Sequence, residues 1–61
     1  MIYVDYSYYR KRDGKVCTAT QTFHSVNQAC RFIYSLSNRH MEYRGFSADT
    51  EEETYELINK L

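Results

Sequence analysis

Cys17, His24, Cys30 and His40 are the four residues of this chain whose types could hold a zinc ion. Small zinc domains present such ligands as close pairs, two to five residues apart, because one turn then delivers two ligands to one ion. Here the intervening stretches are six, five and nine residues, and no pair is close. Cys17 and Cys30 also fall on apolar faces, where a free thiol behaves as a small hydrophobe. The pattern does not call for a metal. A Cys–His nucleophilic pair finds no more support, since nothing marks an electropositive, partly exposed thiolate or an oxyanion-binding loop.

Glu51, Glu52, Glu53 and Glu56 form an acidic cluster that could suggest acid–base chemistry or a magnesium site. Paired carboxylate catalysis needs the two groups to face each other across a cleft. Acids crowded into one helical turn are instead solvated, and they favour a helix start through the helix dipole. With two isolated glycines, no phosphate-cradling loop can be built. The expectation is a protein without enzymatic activity and without a cofactor, metal or small-molecule substrate.

Arg10, Lys11, Arg12 and Lys15 surround Asp13-Gly14, immediately after Tyr8 and Tyr9. Cations beside aromatics can hold phosphates while bases stack. Yet lysines and arginines also keep hairpin ends from pairing with other chains. The whole-chain balance favours the second reading: net charge is zero and the pI is about 6.7. Charge is nevertheless uneven, with a net +4 over residues 1–48 and −4 over residues 49–61. An acidic helix would repel a polyanion unless it lay on the far side of the molecule.

The elements that must position these residues can be read from periodicity. At 61 residues the chain makes one domain, spanning residues 1–61, with little core to spare. Composition is that of a folded protein, 43% hydrophobic and 26% charged, with seven tyrosines and no proline. No apolar run reaches membrane-spanning length, and the start resembles no secretory leader. Together with two unpaired cysteines this leads to the expectation of a cytoplasmic protein with free thiols.

Residues 2–10 and 16–23 are rich in Tyr, Ile, Val, Thr and Phe and predict two strands. Asp13-Gly14 predicts a two-residue type I′ turn between them. That register sets Arg12 opposite Lys15, Tyr8 opposite Ala19, Tyr6 opposite Gln21 and Val4 opposite Phe23. One face then carries Ile2, Val4, Tyr6, Tyr8, Cys17, Ala19 and Phe23. The other carries Tyr3, Asp5, Ser7, Tyr9, Thr18, Thr20 and Thr22.

Ser25 and Gln28 form a capping box for a helix over 26–37, whose stripe is Val26, Ala29, Cys30, Ile33 and Leu36. Residues 41–47 predict a third strand with a bulge at Gly45 that returns Phe46 to the core side. Asp49 and Glu52 are expected to cap a second helix over 50–60. Its stripe is read as Tyr55, Ile58 and Leu61, broadened by Leu57.

The order β-β-α-β-α predicts an α+β fold: a three-stranded antiparallel sheet, strand order 2-1-3, with both helices on one face. The other face is left open. Open tyrosine-bearing sheet faces with arginine nearby have the residue types enriched at interface cores. The expected function is therefore a small protein-interaction or regulatory domain, with self-association as one form of it. Its candidate contacts are Tyr3, Tyr9, Arg10, Lys11, Arg12 and Lys15. The alternative is a nucleic-acid-binding module using the basic hairpin tip and the exposed tyrosines.

Overall fold

Alternation of β-formers drives two nine-residue strands, β1 (Ile2–Arg10) and β2 (Lys15–Phe23), into an antiparallel hairpin. In the computed structural model, which describes all 61 residues, helix α1 (Val26–Ser35) follows β2. A short 3-10 turn (Ser37–Arg39), strand β3 (Glu42–Ala48) and helix α2 (Glu51–Lys60) complete the chain. The sheet order is β2-β1-β3, and both neighbours of β1 run antiparallel to it. This is the small α+β architecture expected from the sequence.

The hairpin turn differs from the expected one. Arg10 pairs with Lys15, so the loop is the four residues 11–14 rather than Asp13-Gly14 alone. Tyr8 consequently faces Cys17, Tyr6 faces Ala19, Val4 faces Gln21 and Ile2 faces Phe23. The physical reason lies in Asp13. A type I′ turn needs positive φ at both central residues, and only Gly14, at φ +70°, adopts it. Asp13 instead uses its carboxylate to accept the Lys15 amide at 3.2 Å, while the Gly14 amide donates to the Arg10 carbonyl at 2.9 Å. The pairing moves by two residues, an even number, so the two faces keep their expected membership.

Core packing involves few residues. Ile2, Val4, Val26, Ala29 and Leu57 are buried together, with Phe23, Phe32, Ile33 and Phe46 packed around them. Phe32 of α1 meets Tyr6 edge-on at 5.2 Å and Phe23 at 5.1 Å, which extends the core along the hairpin. β3 carries the expected bulge. Asp5 pairs with Gly45 and Tyr6 with Tyr43, leaving Arg44 as the extra residue, and Gly45 sits at φ +143°. The bulge returns Phe46 to the core side, opposite Val4.

Helix α1 begins at the expected cap, where the Ser25 hydroxyl accepts the Gln28 amide at 3.1 Å. Ser25→Ala should therefore cost on the order of 1 kcal/mol in urea titration; a change of a few tenths would mean that this bond carries no stability. The helix stops two residues early. His40, at φ 58°, closes the segment in a left-handed conformation: its amide donates to Ser37 and that of Met41 donates back to Leu36. This is the paired bonding of a Schellman motif, in a position where glycine is the usual residue.

Helix α2 departs more. Its cap is Thr50, not Asp49: the Thr50 hydroxyl accepts the Glu53 amide at 3.2 Å and donates to the Glu53 carboxylate at 3.0 Å. The Asp49 carboxylate instead accepts the Tyr3 hydroxyl at 3.1 Å and lies 3.2 Å from the Met1 amino group. The buried residue of α2 is Leu57 alone, while Tyr55, Ile58 and Leu61 are 64%, 53% and 46% exposed. The expected stripe was a face of the helix, but not the buried one. No helix is long and apolar enough to cross a membrane.

Candidate functional site

With both helices on the Ile2/Val4 side, the opposite face of the sheet has no covering layer. It carries Tyr3, Asp5, Ser7 and Tyr9 of β1 and Val16, Thr18, Thr20 and Thr22 of β2. The Thr20 hydroxyl donates to the Asp5 carboxylate at 2.7 Å, tying β2 to β1 on this face. Ser7 is nearly fully buried there, because Arg44 from the β3 bulge lies over it and donates from Nε to its hydroxyl at 3.2 Å.

The six residues singled out in the sequence do not form one cluster. Tyr3 and Tyr9 are six residues apart on one strand, about 20 Å. Tyr3 stands at the acidic end, where its hydrogen bond to Asp49 keeps the phenol protonated beyond its ordinary range. Tyr9 stands at the hairpin end, 62% exposed, with its hydroxyl over the turn. Arg10 is not free: its Nε donates to Asp13 Oδ1 at 3.0 Å, and its terminal nitrogen donates to Oδ2. Lys11, Arg12 and Lys15 are exposed and make no ion pair.

That forked pair gives a pH prediction. The Arg10 guanidinium, and less strongly the Lys15 amide, holds the Asp13 carboxyl below the usual carboxylate range. A lowered carboxylate pKa contributes stability that is complete above the unfolded-state value and lost as pH falls through the folded one. The turn should thus stay intact down to about pH 4 and loosen below it. The Lys15 amide resonance should report the transition; a midpoint at or above that of a free aspartate would show that the pair does not form.

Residues missed in the sequence complete the hairpin end. β3 pairs with β1 only from Ile2 to Ser7, so the hairpin projects beyond it. The segment after α1 fills the space. Arg39, His40 and Met41 line a hollow of about 370 Å³ with Tyr8, Tyr9 and Lys11. A second hollow, of about 170 Å³, adjoins it through Tyr8, Tyr9 and His40 and reaches Val16 and Arg44. The Arg39 guanidinium is held 5.9 Å from the Phe32 ring centroid, a cation–π distance. Arg44 lies 3.8 Å from Glu42.

Charge is thus divided along a molecule 40 Å long. Lys11, Arg12, Lys15, Arg39 and Arg44 gather at one end. Asp49 and the α2 start, Glu51–Glu53, gather at the other, around Met1. No three His, Cys, Asp or Glu side chains converge as metal ligands. Cys17 and Cys30 are both free and half-buried.

The fold and surfaces define an α+β domain built on a half-covered antiparallel sheet with one basic and one acidic end. Comparison with family models, with curated proteins and with solved structures finds no match to this chain.

Proposed function

We propose that this chain is a small non-enzymatic interaction domain that works through its uncovered sheet face and the adjoining free edge of β2, with a second copy of itself or another protein as partner. The observation that carries this reading is the edge itself. β2 runs nine residues without bulge, proline or glycine, and has no charge between Lys15 and His24. Monomeric proteins usually blunt such an edge with charges, kinks or a covering segment, because its unpaired amides and carbonyls are a template for another strand. β3, the other edge, is broken by its bulge and carries Glu42 and Arg44. Only β2 is left ready to pair.

Charge placement favours antiparallel pairing between two copies. Such a pair sets the basic end of each beside the acidic end of the other, whereas a parallel pair would align like ends. Beside the edge, Tyr3 and Tyr9 supply aromatic contacts at either end of the open face.

The test is the state of association. Light scattering from about 1 µM to about 1 mM protein should show a concentration-dependent dimer. Thr18→Lys with Thr22→Lys, which adds cations to the exposed side of β2, should abolish it without lowering the melting temperature measured at about 1 µM, where the parent is monomeric. Affinity capture by the parent provides the second arm, and a specific partner should be lost with the same double variant. A parent that stays monomeric, and retains no protein that the variant loses, would rule the proposal out.

A further inference from the structure

We propose that the hairpin end is a binding site for single-stranded nucleic acid, formed around Tyr9 by cations from four separate parts of the chain. Lys11 and Arg12 come from the turn, Lys15 from the start of β2, Arg39 from the segment after α1, and Arg44 from the β3 bulge. Lys11, Arg39 and Arg44, far apart in sequence, line two adjoining hollows that share Tyr8, Tyr9 and His40, and Arg12 and Lys15 flank them at the hairpin tip.

The two carboxylates nearby do not cancel this charge. Asp13 is already paired with Arg10, and Glu42 lies 3.8 Å from Arg44, so Lys11, Arg12, Lys15 and Arg39 are left over. The remaining acids of the second half of the chain lie at the opposite end of the 40 Å molecule, removing the repulsion that a near-neutral pI suggests. Several ionic contacts beyond a Debye length, about 10 Å at 0.1 M salt, do not feel those acids strongly.

The cations are also mounted firmly. The Arg10–Asp13 fork fixes the turn that presents Lys11 and Arg12, and the Phe32 ring steadies Arg39. Tyr9 supplies the other half of the chemistry. Its ring is 62% exposed between the hollows, with Val16, 66% exposed, paired beside it. An exposed aromatic beside cations that have no carboxylate partner is the arrangement that stacks a base while its flanking phosphates are neutralised. A duplex hides its base faces, so it could use the cations but not the ring. The site belongs to the monomer, since antiparallel pairing through β2 would bring a partner's acidic end beside it, and Lys11→Gln with Arg12→Gln is the variant that leaves the β2 edge and the open sheet face untouched.

The experiment is fluorescence anisotropy with labelled twelve-nucleotide single strands of DNA and RNA, and with the matching duplex, at two salt concentrations. The parent should bind single strands with Kd on the order of 10 µM at low salt. With about four phosphate contacts, log K should fall against log salt with a slope of about −3. Lys11→Gln with Arg12→Gln should reduce that slope by about 1.4. Tyr9→Ala should weaken binding about tenfold or more, and Tyr9→Phe should restore it. Tyr55→Ala, at an exposed tyrosine on α2, should change nothing. Failure of the parent to bind single strands overturns the proposal, and so does equal or tighter binding to the duplex. Equal losses in the Tyr9→Ala and Tyr55→Ala variants would do so as well. If Tyr9→Ala lowers the melting temperature, the paired turn substitutions decide, since both residues are exposed and outside the strands.

Discussion

Leu57→Ala should leave the chain without a cooperative melting transition at ambient temperature. Leu57 is the one fully buried residue of α2, packed with Ile2, Val4, Val26 and Ala29. Truncating a buried leucine costs about 2–5 kcal/mol. A single core in a domain of this size rarely supplies more than roughly 3–5 kcal/mol, so one substitution consumes most of the stability. Ile58→Ala, at a position 53% exposed, should stay within about 0.5 kcal/mol. Thermal and urea melts followed by circular dichroism would separate the two. A larger loss at Ile58 would mean that α2 packs on its other face.

Gly14→Val should be the most damaging change outside the core. At φ +70°, Gly14 occupies a conformation that a β-branched residue adopts only with strain. Its new Cβ would also stand 3.3 Å from the Tyr9 hydroxyl. The expected loss is about 2 kcal/mol, with Gly14→Asn milder because asparagine tolerates the left-handed region. Nuclear Overhauser contacts in the parent should pair Tyr8 with Cys17. Pairing of Tyr8 with Ala19 would restore the two-residue turn, in which case both central residues would need positive φ and Asp13 would share the sensitivity.

The course of the sheet was legible because strand parity is robust. A turn of two or four residues places Ile2, Val4, Tyr6 and Tyr8 on the same face, so the wrong loop length still delivered the right core side. Loop length itself depended on whether Asp13 would take positive φ or spend its carboxylate on Arg10 and the Lys15 amide, and Asp-Gly permits both. The α2 stripe misled for a related reason. Tyr55, Ile58 and Leu61 recur at helical spacing, but a ten-residue helix at the edge of a small sheet buries only a narrow strip, and Leu57 occupies it. At the proposed hairpin-end site, Arg39 and Arg44 escaped notice, and His40 was weighed only as a metal ligand. They join the hairpin end only through the pairing of β3 with β1 and the left-handed turn at His40. The alternation of Glu42 and Arg44 away from the core was a usable signal, but it did not say which end of the molecule they would reach.

Because β1 lies in the middle of the sheet, synthesis presents the domain in an awkward order. A nascent chain makes its central strand first and can zip it to β2 soon afterwards, since those contacts are local and fast to form. The other side of β1 must then wait until β3 is made some forty residues later, and the lid over Ile2 and Val4 until Leu57 arrives. In that interval a two-stranded ribbon is bare along both edges, with only α1, through Val26 and Ala29, to cover its apolar face. Until β3 docks, the second edge of β1 is as open to a neighbouring strand as the edge of β2, and the central strand of the finished sheet is for that time an edge strand itself.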